Sequence, residues 1–138
     1  EIRPGNFVFY DLMQVQIGAS DFDHIAVAMA CPGVAIHESR NEIVVYGGGV
    51  HLSKDRLEDE EFGTIYGRVV EPEGGGWGKV VPGMYIRSLS QEHGVVVAPP
   101  EEIAKYEIGD YLVVLPVHSC MSADLLRKYL TTEGKWIE

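Results

Sequence analysis

The chain has 138 residues, 46% of them hydrophobic, which is enough for one domain with its own core and too few for two. Its formal net charge is -10 and its 11 Lys and Arg residues form no run, which excludes a nucleic-acid backbone as the natural partner. No stretch reaches the length of a membrane span and no signal-like run opens the chain, so the expected location is cytoplasmic, with Cys31 and Cys120 as free thiols.

Short runs of Val, Ile, Tyr and Phe bounded by Gly and Pro outnumber helical patterns. The expected fold class is therefore mainly β, a barrel-like or sandwich module with one or two short helices, forming a single domain over 1–138. A first strand is predicted over Phe7 to Asp11, continuing past a bend near Leu12 through Gln14 to Gly18. The run "IAVAMACPGVAIHE" predicts a second strand, with Pro32-Gly33 marking a bulge or an edge. "SRNE" turns it into a hairpin partner, "IVVYGG", and "LSKDRLEDEEF" is expected as loop with at most one helical turn.

"GTIYGRVV" resumes strand, and "EPEGGGWGK" lacks the ending of a phosphate loop, so it reads as a structural hairpin with Trp77 folded over the sheet edge. "MYIRSLSQEHGVVVAP" is a long strand pattern interrupted at Gly94, and Pro99-Pro100 stops it before one helical turn over Glu101 to Tyr106. "YLVVLPV" is the next strand, Ser122 is expected to cap a short helix over Ala123 to Arg127, and "KYLTTEGKWIE" closes with a hairpin. The abrupt ends, "EIRPGN" and "TTEGKWIE", read as those of a piece of a longer chain.

His118 and Cys120 stand two apart, which puts both side chains on one face if the strand continues through them. Imidazole and thiolate are both zinc donors; the alternative is a hydrogen-bonded strand-end histidine and a small buried cysteine. Glu92 and His93 can share a site only if the backbone bends near Gly94, in which case Glu92 could accept the second N–H of His118. Otherwise they are a surface pair. Gly47-Gly48-Gly49 before His51 allows a close backbone approach or an anion contact, and serves equally as a strand terminator. Asp11, within an aromatic run, anchors a turn or reaches a substrate.

Four motifs, "RPGNFVFYDLMQ", "YGGGVHLSKD", "LSQEHG" and "GDYLVVLPVHSCMSADLL", resemble in order the C-terminal region of the D-threonine aldolase and D-serine dehydratase family, which shares a two-domain plan with alanine racemase. The resemblance implies an N-terminal (β/α)₈ barrel that carries pyridoxal phosphate on a lysine, a β domain that completes the site, and a homodimer. It implies that His118 and Cys120 are the metal pair, with zinc preferred over manganese because of the thiolate. It also implies supporting catalytic roles for Glu92 and His93, and a substrate-contacting or supporting role for Asp11 and Gly48. The substrate would be a small D-β-hydroxy amino acid, cleaved or dehydrated. Two other readings stay open: a non-catalytic β module for docking or dimerisation, and part of an amino-acid racemase. The chain departs from the family in having Tyr46-Gly47-Gly48 where Asp-Ala-Gly is usual. Lys54, Lys79, Lys105, Lys128 and Lys135 all fall in the β domain, so the cofactor lysine would belong to the barrel.

Overall fold

The computed structural model describes residues 1–138. Six antiparallel strands form the main sheet: β1 (Met29–His37), β2 (Glu42–Tyr46), β5 (Gly67–Glu73), β6 (Gly76–Leu89), β7 (His93–Val97) and β8 (Tyr111–Pro116). They pair in the order β1-β2-β7-β6-β5-β8, and β8 also pairs with β1, so the sheet closes on itself as a barrel with no free edge. Two small hairpins lie outside it, β3 (Leu57–Asp59) with β4 (Gly63–Ile65), and β9 (Tyr129–Leu130) with β10 (Trp136–Ile137). Helices are short: α1 (Leu12–Gln16), α2 (Gly49–Leu52), α3 (Pro100–Ile103) and α4 (Ser119–Leu126). None is long and apolar enough to cross a membrane.

Strand β8 explains why the chain needs so apolar a run before His118. Side chains alternate across a strand. Leu112 and Val114 enter the barrel core with Ile43, Val45, Met84, Ile86 and Val96. Leu115 and Val117 instead join Leu12, Ile25 and Val70 in a second cluster. Both faces of β8 are therefore covered, and truncating Leu115 to Ala would cost about 2–5 kcal/mol by the usual range for buried leucines. The two-sided burial fixes where the strand ends and where His118 begins.

Several expectations are met. The bulge falls between Gly33 and Ala35, Asn41 turns β1 into β2 with φ 55, and Trp77 packs partly buried against the second cluster. The first strand is corrected. Residues Asn6–Val8 form a 3-10 turn and Leu12–Gln16 a helix, because Asp11 caps the segment by accepting the N–H of Gln14 at 3.1 Å. Gly94 lies inside β7, and the long strand pattern breaks earlier, at Ser90 to Glu92. Ser122 does not cap α4: the helix starts at Ser119 with His118 at its N-cap, and Ser122 is buried within it. The helices number four rather than one or two.

Candidate metal centre

Strand β8 stops at Pro116 and α4 begins at Ser119, so His118 occupies the N-cap, with φ -132 and ψ 97. His118 and Cys120 thus lie at a strand-to-helix corner, not on a continuing strand. That corner is pinned from far away. Asp11, fully buried, accepts the backbone N–H of Ser119 at 2.8 Å through Oδ2. Asn6 donates to the same oxygen through Nδ2, while its Oδ1 accepts from Ser119 Oγ at 2.6 Å and from the Cys120 thiol at 3.6 Å. Asp11 is accordingly a structural anchor beneath the donors.

His118 Nδ1 lies 2.7 Å from Oδ2 of Asp55. The sequence reading had no signal for Asp55, which lies in a charged loop and meets His118 only through the packing of α2 against α4. Ser53 directs it: held at φ 64 and ψ -175, it accepts the Asp55 N–H on Oγ at 3.2 Å. The His118 and Asp55 side chains are 32% and 40% exposed and Cys120 is exposed, so all three are open to solvent.

Glu92 and His93 lie in a different cluster. Glu92 does not meet His118; its backbone carbonyl accepts the Gly47 N–H at 3.0 Å. The ring of Tyr46 sits edge-on to His51 at 4.8 Å and to His93 at 5.9 Å. The glycine run serves close approach and leaves no anion cradle. Gly49 and Val50 donate to the carbonyls of Ser90 and Gln91 at 2.9 and 3.0 Å, and Gly48 donates to His51 Nδ1 at 3.1 Å. A Cβ on Gly48 would stand 2.5 Å from backbone atoms of Glu92 and His93, which explains a glycine there without a substrate. Burial lowers the His51 pKa below its ordinary value, opposed by Glu92 and assisted by His93.

The donor chemistry suits zinc in one respect: a carboxylate engages Nδ1 of the His118 imidazole and leaves Nε2 without a protein partner, and a thiol follows two residues on. No group of three or more His, Cys, Asp or Glu side chains gathers in the chain. A separate cleft of about 440 Å³, between α1 and the β3–β4 hairpin, is lined by Leu12, Phe22, Leu57, Ile65 and Arg68 and includes none of these site residues.

The family model for the putative serine dehydratase domain matches residues 26–132. The chain belongs to that family. A D-serine dehydratase of Dictyostelium discoideum is 32% identical over 94% of the chain, which spans 32% of that protein's length. The chain also superposes on a solved alanine racemase-like protein from Idiomarina loihiensis, with TM-score 0.81, 28% identity, and coverage of 96% of this chain and 36% of that one. It superposes equally on the D-threo-3-hydroxyaspartate dehydratase of Delftia sp. HT23, with TM-score 0.79, 26% identity, and coverage of 96% and 36%. Two further solved chains of a D-threo-3-hydroxyaspartate dehydratase, each 24% identical, share the fold with TM-scores of 0.80 and 0.78. The chain thus spans about one third of the length of the curated relatives it matches.

Proposed function

We propose that this domain is the metal-bearing β portion of a pyridoxal-phosphate-dependent lyase that removes water from a D-β-hydroxy amino acid. The observation that carries the reading is the His118 and Cys120 pair at the start of α4, its imidazole already held by Asp55. Dehydration is favoured over aldol cleavage because the four curated relatives, each matching 87–99% of this chain, are named dehydratases. In this reading the cofactor and its lysine belong to an N-terminal (β/α)₈ barrel outside residues 1–138, and the assembly is a homodimer. Exposed Phe7, Val8, Leu130, Trp136 and Ile137 offer apolar surface for such contacts.

Zinc held by His118 and Cys120 would supply a Lewis acid at the substrate β-oxygen, and pyridoxal phosphate an electron sink for charge developing at Cα. The chain's own residues do the positioning. His118 presents Nε2 while Asp55 holds Nδ1, and Cys120 presents sulfur from the first turn of α4. Asp11 and Asn6 fix the backbone under both donors. Catalytic zinc sites keep a position open for water or substrate, and in this reading a further ligand or water would complete the shell beside His118 and Cys120.

The test uses the full-length protein that contains this chain. Zinc content and release of ammonia and a 2-oxo acid from D-serine and D-threo-3-hydroxyaspartate are measured for wild type, H118A and C120A. Both variants are expected to lose metal and dehydration together. Unchanged zinc occupancy in the two variants would defeat the reading.

A further inference from the structure

We infer that Asp55 is a positioning residue for the metal: it fixes the His118 ring so that Nε2, not Nδ1, faces the cation. This rests on the proposed metal role of His118 and Cys120.

The contact of 2.7 Å joins Nδ1 of His118 to Oδ2 of Asp55. An ionised carboxylate only accepts, so Nδ1 carries the proton and the lone pair stays on Nε2. The imidazole is also spared from capping its own helix. Although His118 is the N-cap of α4, its side chain makes no capping bond, and Asp11 takes the Ser119 N–H in its place. A capping histidine would turn its ring toward the N–H groups of the first turn. Here the ring is free to turn toward Asp55.

Asp55 is in turn aimed by the segment that carries it. The N–H groups of Gly47, Gly49 and Val50 are tied to the carbonyls of Glu92, Ser90 and Gln91, which clamps the start of α2 to the β6–β7 turn. At its other end, Ser53 adopts a backbone region that is nearly reserved for glycine. Its hydroxyl accepts the Asp55 N–H at 3.2 Å, a contact that glycine would lack. The unusual backbone and the contact to His118 thus belong to one local device.

Zinc affinity of the full-length protein, measured by chelator competition, tests the assignment. D55A is expected to bind zinc about 10–100-fold more weakly, the usual effect of removing a carboxylate behind a ligating histidine. D55N, whose amide oxygen still accepts the Nδ1 proton, is expected to recover most of that loss. Heteronuclear NMR of labelled histidine rings in the zinc-free protein, with H118A for assignment, should find the His118 proton on Nδ1. Wild-type affinity in D55A, with H118A and C120A having lost the metal, overturns the positioning role and leaves the metal reading intact. So does a His118 proton on Nε2, a result that needs only the wild-type fold and decides the matter if D55A fails to fold. Wild-type zinc binding in H118A and C120A removes the metal reading and this inference with it.

Discussion

The carboxylate of Asp11 accepts the backbone N–H of Ser119 across 108 residues of sequence, and its other oxygen accepts the N–H of Gln14. One buried side chain therefore terminates two helices, α1 and α4, and holds the second where His118 and Cys120 stand. Asp11 forms no ion pair; its acceptor capacity is met by N–H donors from Gln14, Ser119 and Asn6.

Asp11→Ala should cost about 2–4 kcal/mol, combining a lost helix cap with buried donors left unpaired. A lowered denaturant midpoint with an unchanged slope would show it. A variant as stable as wild type would mean that water replaces the carboxylate at this corner.

Gly48→Ala places a methyl group 2.5 Å from the backbone of Glu92 and His93, where no flexible side chain can yield. The expected loss is about 1–3 kcal/mol, typical of overpacking, read as a lower thermal midpoint. Because φ at Gly48 is -105, the strain is steric and not conformational. Gly48→Ser should therefore be at least as damaging.

His51 gives the domain an acid-sensitive contact. Its Nδ1 accepts the Gly48 N–H, which only the unprotonated ring can do. Burial lowers its pKa below the ordinary 6.5, against the pull of Glu92. The unfolded chain then takes up the proton first as pH falls, so this contribution is present above about 6.5 and is lost on acidification. His51→Gln should flatten the dependence of stability on pH in that window, as measured by denaturant titrations at several pH values.

The two thiols should separate cleanly. Burial pushes the Cys31 thiol up to about 12, whereas Cys120 is exposed. An alkylating reagent at neutral pH is expected to modify one thiol quickly and the second only after unfolding. In the unfolded chain Cys31 ionises near its ordinary 9.0, so the domain should also lose stability as pH rises from there toward 12. Equal labelling rates in the native protein would contradict the buried placement.

Local pattern was sufficient for much of the barrel. The β-branched runs of β2 and β8, the turn at Asn41 and the glycine-rich hairpin after Glu73 state their conformations in their own residues. The spacing of His118 and Cys120 does not, because the strand ends at Pro116 and a helix begins at Ser119. The first segment misled for a physical reason: Phe7 to Ile17 has strand-like composition, and its helix depends on a cap that also serves Ser119. Propensity yields to such a tertiary partner.

What the chain alone determined, then, was the β class and most of the turns, because these follow from side-chain shape and short-range spacing. Only the folded domain decided which groups support the donors. Asp55 reaches His118 across 63 residues and Asn6 reaches Cys120 across 114, and no periodicity along the sequence encodes contacts at such separations. Packing of α2 against α4 brings Asp55 to His118, and the buried Asp11 ties the first segment to the start of α4, so these long-range contacts gather the groups of the candidate site.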